Sequence, residues 1–213
     1  MTAQKDVFLA SEGDAWFRRN EQALESRNWS TEPLCRKIGE LSANGSLSIL
    51  EIGCGDGSRL QYLAQQHGHQ VHGVDPSHAA VAKASERGVG AYQTTADHLP
   101  FADRAFDVVI FGFCLYLCDD GDLFKIAQEA DRVLRNPGWL LILDFESLAP
   151  RYRAYHHLAG IQSRKMDYKT MFLWHPYYTL ASHEKFHHAT HRWTDDVDEW
   201  VSLACLRKSH PSK

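Results

Sequence analysis

The chain has no CxxC pair. Its five cysteines, Cys35, Cys54, Cys114, Cys118 and Cys205, are odd in number and scattered, so neither a disulfide framework nor a zinc ribbon fits, and a reducing cytoplasm suits them. Long apolar runs are missing as well. The longest, Val108 to Cys118, is far short of the ~20 residues a membrane-spanning helix needs, and the amino terminus, MTAQKDVFLA, lacks the basic and apolar regions of a signal peptide. A cytoplasmic protein without a membrane partner is expected. Basic charge is in short supply: 23 Lys and Arg stand against 27 Asp and Glu, a net charge of −4, which denies the chain the broad basic footprint of a nucleic-acid binder. Proline is sparse and glycine ordinary, so collagen-like and disordered classes are excluded. Internal repeats, low-complexity tracts and linkers are also lacking. What remains is 213 residues, 44% of them hydrophobic, enough for one sizeable core and too few for two full domains.

Between about residues 30 and 146 strand and helix patterns alternate. Residues 47–53 (LSILEIG) form a short apolar run stopped by glycine, as a buried parallel strand requires. Residues 57–67 read as a helix closed by Gly68, residues 69–75 (HQVHGVD) as a second strand, residues 76–87 as a helix closed by Gly88, and residues 90–96 as a third strand. Residues 106–113 (FDVVIFGF) are β-branched and aromatic throughout. Asp119 or Asp120 can cap the next helix, which carries Leu123, Ile126, Ala127, Ala130, Val133 and Leu134 on one face and ends at Arg135. After Asn136-Pro137-Gly138, residues 139–145 (WLLILDF) are another strand. This alternation predicts an α/β fold, a doubly wound, mostly parallel sheet with helices on both faces.

The strongest chemical signal is Glu51-Ile-Gly-Cys-Gly-Asp-Gly57, at the end of the first strand and running into a helix. Glycines at 53, 55 and 57 free the backbone to turn sharply and to approach a ligand, toward which the N–H groups of the next helix point. About 20 residues on, Asp75 ends the second strand, where an acidic side chain can accept both hydroxyls of a ribose.

The GxGxG spacing, with Glu51 two residues ahead of the first glycine, resembles the class I, seven-stranded Rossmann-like S-adenosylmethionine-dependent methyltransferases. The segments Asp97-His98-Leu99-Pro100-Phe101, Phe106-Asp107-Val108-Val109 and Glu129 to Gly138 resemble later motifs of that family, in order, over residues 47–146. The resemblance implies a seven-stranded sheet with a reversed last hairpin, S-adenosyl-L-methionine as cofactor and S-adenosyl-L-homocysteine as product. It implies that Gly53, Cys54, Gly55 and Gly57 line the methionine portion and that Glu51 accepts from its ammonium. Asp75 would bind the ribose hydroxyls, Pro76 would pack near the adenine, Asp97 would accept from the adenine amine, and His98 would offer it a backbone N–H. Phe113 would close the same site.

A sulfonium methyl is already electrophilic, so the protein must align the acceptor, exclude water and, for a hydroxyl, remove a proton. Those tasks fall to loops at the carboxyl ends of the strands. Tyr116, His156 and His157 are the catalytic candidates. Residues 150–192 hold seven Lys and Arg against two acids and seven of the 13 histidines, and Arg151, Arg153 and Tyr155 there are expected to contact the acceptor, with Trp16 and Arg19 facing it from amphipathic helices at 14–27 and 31–43. The expected layout is one methyltransferase domain: a helical cap (1–45), a cofactor-binding core (46–146), a lid and strand (147–192) and a last strand and tail (193–213). Residues 200–208 should lie antiparallel beside 139–145, residues 178–188 should pair with them, and 147–177 should cover the carboxyl ends of the strands.

A polar, possibly anionic small molecule is the expected acceptor, with oxygen favoured over nitrogen. Competing readings are an RNA or protein methyltransferase, a non-catalytic binding protein of the same fold, and an NAD-dependent oxidoreductase, which the glycine spacing and the lack of a Tyr-x-x-x-Lys pair oppose. His183, His187, His188 and His191 have metal-ligand spacing on a helix but scatter on a strand, so no metal is expected. The oligomeric state, monomer or homodimer, is left open.

Overall fold

The computed structural model describes residues 3–43 and 45–210. The glycine-stopped run becomes β1 (Ser48–Ile52), and β2 (Gln70–Asp75), β3 (Gly90–Gln93), β4 (Phe106–Gly112) and β5 (Leu134–Phe145) follow it in parallel. After two short strands, β6 (Arg151–Ala154) and β7 (Gln162–Lys165), come β8 (Tyr178–His187) and β9 (Trp200–Lys208). The main sheet has the order β3-β2-β1-β4-β5-β9-β8. Its last two strands are antiparallel, β9 lying beside β5 and β8 beside β9. This is the seven-stranded, doubly wound fold with a reversed end that the sequence predicts.

Alternation along each strand divides the core into two. Ile49, Val108, Ile110, Leu141 and Leu203 face α3 (Pro33–Leu41), α4 (Ser58–His67) and α5 (His78–Glu86), while Leu50, Ile52, Val109, Phe111 and Leu140 face α6 (Leu123–Val133). Successive residues of a strand point to opposite faces, so continuous apolar runs are what a sheet buried on both sides needs.

Three expectations need correcting. The first helix begins ten residues early: α1 (Gln4–Val7), a wide turn over Phe8–Glu12 and α2 (Gly13–Glu25) run on without a break. The wide turn shifts the apolar stripe between its two flanks, which hides the helix from a 3.6-residue pattern. Gly13 is required in it, because a Cβ there would lie 2.7 Å from the Phe8 carbonyl oxygen and 3.0 Å from the Ser77 nitrogen. Second, neither Asp119 nor Asp120 caps α6; a short turn at Asp120–Asp122 precedes it, and no side chain accepts from its first N–H groups. The strand β5 starts directly after that helix, at Leu134, instead of at residue 139.

Third, residues 147–177 are only partly a lid. β6 and β7 pair as a separate antiparallel hairpin over the site, but Tyr168 and Phe172, just before and within α7 (Thr170–Leu173), return to the α6 face of the core, where Phe172 meets Phe111 at 6.3 Å and Tyr178 at 5.4 Å. No described helix is long and apolar enough to cross a membrane.

Candidate functional site

Strand order reverses direction between β1 and β4, and in open α/β sheets the crevice beyond the carboxyl ends of the strands at that point is where ligands bind. A cleft of about 1440 Å³ opens there. Its floor is the turn after β1 and the ends of β2, β4 and β5; α1 and α2 cross one side, and the β6–β7 hairpin and the turn after β8 close the other.

The glycine turn divides by task. Gly53, Gly55 and Gly57 all have left-handed backbones, with φ of 78°, 52° and 69°. A Cβ on Gly55 would meet only Leu24, 3.7 Å away, leaving the cleft open above the turn, whereas one on Gly53 would strike Cys114 at 2.5 Å. Gly57 does not line the cleft. A Cβ there would meet Ala84 at 2.8 Å and Val89 at 3.1 Å, so this glycine lets α4 approach α5 and is withdrawn from the cofactor set. Phe113 also has a left-handed backbone, φ 57°, a costly conformation for a bulky residue; its N–H donates to the Leu143 carbonyl (2.9 Å), and its ring lies 5.4 Å from Phe145.

Four carboxylates gather at this end of the sheet, Glu51, Asp97 and Asp144 buried and Asp75 half-buried. Glu51 is almost fully buried and pairs through Oε1 with Arg59, which also donates to Glu32 (2.7 Å). Its Oε2 is buried and has no partner. Burial drives the Glu51 carboxyl up to about 7 in spite of Arg59. Asp75 accepts N–H bonds from Gly55 and Ser77, both 2.9 Å, and burial drives it up to about 6. Asp144 accepts from the Leu115 N–H (2.8 Å), anchors the Cys114–Leu117 turn, and is driven up to about 7 by burial. Burial also pushes Asp97 upward, but bonds from Lys5 (2.7 Å) and Thr95 (2.6 Å) outweigh it and hold this carboxyl below its ordinary range.

Several expected roles meet these facts directly. Pro76 lines the cleft beside Asp75. His98 is exposed and outside the cleft lining, and its N–H already donates to the Thr95 carbonyl (3.1 Å), so it is withdrawn. Cys54, Cys114 and Cys118 line the cleft, and all five cysteines are free. Trp16 donates to the Tyr116 hydroxyl at 3.3 Å. Burial raises the Tyr116 phenol, so it stays protonated at neutral pH and cannot serve as a base. Arg19 does not line the cleft but holds the Tyr155 hydroxyl (2.8 Å), which in turn donates to Glu12 (3.0 Å). His156 and His157 stand exposed at the rim, where slight desolvation and the nearby Arg19 and His156 lower the His157 imidazole. Arg151 lies outside the cleft lining and pairs with Asp198, so it is withdrawn; Arg153 lines the cleft but shares the same carboxylate at 3.4 Å.

The structure adds Lys5, Glu12, Glu32, Arg59 and Asp144, which the sequence reading missed. Each acts through a partner remote in sequence. Only Arg59 carried a signal, a basic residue in the first turn of the helix that follows the glycines.

Among the described residues His187, His188 and Glu199 are the one trio able to surround a metal ion. The Ala189 N–H, however, donates to Nδ1 of His187 (3.1 Å), which leaves the proton on Nε2, the nitrogen facing Glu199 at 3.6 Å. A protonated nitrogen donates and does not ligate.

A family model described as a methyltransferase domain matches residues 50–142. The O-methyltransferase resE of Aspergillus sclerotiorum is 33% identical over 129 residues, covering 56% of this chain and 48% of the relative. A thiol S-methyltransferase of Mus musculus is 36% identical over 135 residues, covering 58% and 51%. The chain therefore spans about half the length of these curated relatives. Among solved structures, the Burkholderia thailandensis 1,6-didemethyltoxoflavin-N1-methyltransferase with bound S-adenosylhomocysteine superposes with a TM-score of 0.71 at 18% identity, over 99% of this chain and 92% of that one. That likeness is one of fold.

Proposed function

We propose, from the membership of residues 50–142 in the methyltransferase domain family, that the chain binds S-adenosyl-L-methionine and moves its methyl group to a polar small molecule. The observation that carries this is Oε2 of Glu51, a buried carboxylate oxygen with no partner, beside a turn whose Gly55 leaves open space. Leaving such an oxygen unpaired costs roughly 1–3 kcal/mol, a cost that an ammonium donor removes.

When bound, S-adenosyl-L-methionine supplies a methyl group on a positively charged sulfur. The residues of this chain do the rest. Glu51, held by Arg59, accepts from the ammonium. Asp75 retains free lone pairs beyond its two N–H bonds and accepts from ribose hydroxyls, while Cys54 and the glycines at 53 and 55 keep the wall low. Asp97 is available to an adenine amine only beside Lys5 or in its place. Phe113, Phe145, Tyr116 and Trp16 exclude water around the acceptor, with Tyr116 as an orienting phenol. His157, with His156 next to it, receives the proton of an acceptor hydroxyl, which is why oxygen is favoured. Arg153 and Tyr155 bound the acceptor's space, and the four stretches 1–45, 46–146, 147–192 and 193–213 act as one catalytic unit. The names of the relatives span O-, S- and N-methyl transfer, so the choice of atom rests on these side chains alone.

Calorimetry with S-adenosylhomocysteine and, separately, NADH tests the cofactor: micromolar binding of the first and none of the second is expected. The reverse outcome overturns the reading. Incubation with S-adenosylmethionine and metabolite pools, scanned by mass for products ~14 Da heavier (one CH2 gained), then identifies the acceptor.

A further inference from the structure

The basic residues of the β6–β7 hairpin are largely spent within the protein. Arg151 and Arg153 both reach Asp198, Lys165 donates to the Asp198 carbonyl, and Arg164 pairs with Asp120. The other end of the cleft is different. Arg27 just beyond α2, Arg36 in α3 and Arg192 after β8 all line it, together with His191 and with His188, whose Nδ1 lies 3.1 Å from the Glu199 carboxylate. Among the described residues none of these three arginines has a carboxylate within 4 Å, although Arg27 lies in the field of Glu32 and Glu51. Arg27 lies over the Trp29 ring, 5.4 Å from its centre, where Arg59 also lies at 5.2 Å.

The turn after β8 is built to present these groups. His187 N–H donates to the Arg192 carbonyl (2.8 Å) and His191 N–H to the His187 carbonyl (3.0 Å), closing a tight loop. His191 takes a left-handed backbone, φ 52°, and sets its ring edge-on to Phe186 at 5.6 Å. A non-glycine residue holds that conformation only where its surroundings enforce it. His191 feels Glu32, Arg27, Arg36 and His188, so the helix ends and this turn converge on one place. From there His188 reaches Phe145 (6.5 Å), and Phe145 reaches Tyr116 (5.1 Å).

We propose that this end of the cleft, formed by Arg27, Arg36, His188, His191 and Arg192, is an oxyanion subsite that takes the carboxylate or phosphate group of the methyl acceptor. Three guanidiniums with no carboxylate in ion-pair reach leave positive charge over even when the single carboxylate of the cofactor's methionine portion and Glu32, itself bound by Arg59, are counted, and guanidinium forks match carboxylate and phosphate oxygens. The aromatic path through His188 and Phe145 joins the subsite to the ring of Tyr116, where the acceptor's body lies in the reading above. The proposal rests on that reading for the identity of the bound molecule, though not for the presence of the subsite.

The test uses the full chain saturated with S-adenosylhomocysteine, titrated calorimetrically with inorganic pyrophosphate or with citrate at fixed ionic strength. Binding of one or both is expected, the stronger probe naming phosphate or carboxylate. Arg36→Ala with Arg192→Ala should weaken it by at least about tenfold, the scale of one lost charge-assisted contact, while affinity for S-adenosylhomocysteine changes less than about twofold. Arg192→Gln alone, on an exposed turn, provides the same reading if the double variant does not fold, and Arg104→Ala is the control for an unrelated exposed arginine. The proposal falls if neither anion binds, or if the variants bind them as the parent does. It also falls if the double variant loses affinity for S-adenosylhomocysteine but not for methylthioadenosine, which lacks the carboxylate; the subsite would then belong to the cofactor. Absence of S-adenosylhomocysteine binding in the parent chain would sink the methyltransferase reading instead, with pyrophosphate titration of the free chain still deciding the subsite.

Discussion

One cleft has two unlike walls. On the core side, carboxylates of little exposure stand at the ends of parallel strands, and backbone N–H groups of the glycine turn and of Ser77, just ahead of α5, fix Asp75 in place. On the flanking side, apart from acids such as Glu32, the charged groups are mainly cations, they come from helix ends and hairpins, and they are mostly exposed. The first wall is preorganised by main chain and strand register, so its geometry survives changes in neighbouring side chains. The second depends on side chains reaching across from separate elements, so it can be altered one residue at a time. On the proposed reading a rigid cofactor wall would face an adjustable acceptor wall, a division by which one fold can accommodate many acceptors.

The sharpest way to break the comparison is at the glycine turn. Gly55→Val should weaken S-adenosylhomocysteine binding more than about a hundredfold in protein that keeps its circular dichroism, because the added branch enters open cleft space, with a further cost in stability from a β-branched residue at φ 52°. Gly57→Ala should do the opposite, lowering thermal stability by about 1–3 kcal/mol through the clash with Ala84 while folded protein keeps its affinity. If both variants behave alike, the division of the turn is wrong. Next, Asp75→Ala should cost about 2 kcal/mol of binding, roughly thirtyfold by calorimetry, for the loss of a charged acceptor; an unchanged affinity removes Asp75 from the wall.

A smaller effect comes from pH. The Glu51 carboxyl stands at about 7, above its ordinary value of 4.5, because burial disfavours its charge. Its contribution to the stability of the free protein is therefore present below pH ~4.5 and is lost as pH rises through 7. An ammonium ligand favours the charged form, so affinity for S-adenosylhomocysteine should rise about tenfold from pH 6 to pH 8, as a site titrating near 7 dictates. Methylthioadenosine, without the ammonium, should show no such gain; equal pH profiles for the two would detach Glu51 from the ligand. The smallest effect is expected on the adjustable wall at Arg151, whose exposed pairing with Asp198 lies outside the cleft. Arg151→Ala should leave KM within about twofold and stability within ~0.5 kcal/mol, and a large rise in KM would return it to the acceptor site.

The core wall was legible because its logic is local. Strands β1 and β4 and the second half of β5 are apolar runs, the glycines sit where the chain must turn, and Asp75 ends a strand, so each part can be read from its own stretch of sequence. The β5–β9–β8 arrangement was readable from the strand formers of residues 200–208 together with the family resemblance, which implies a reversed last hairpin. What escaped was non-local or aperiodic. The Glu32–Arg59–Glu51 chain joins α3, α4 and β1 through side chains alone. The wide turn at Phe8–Glu12 broke the helical stripe, and the attractive row of basic residues at 151–165 gave no sign that Asp198 and Asp120, far along or far back in the chain, would neutralise it.

The contact between Gly13 and the Pro76–Ser77 backbone brings Asp14 onto α5, where its Oδ1 accepts from the Ser77 hydroxyl (2.7 Å) and the Ala79 N–H (3.0 Å). A helix whose first turn is capped from a distant part of the chain frays when that part lifts away. The amide proton of Ala79 should thus exchange with solvent at the rate at which the amino-terminal helix opens, and a ligand lying on Asp75 beneath that helix should slow both together. Opening of the entrance is in this way written into the exchange of one amide on the far side of the Asp75 turn.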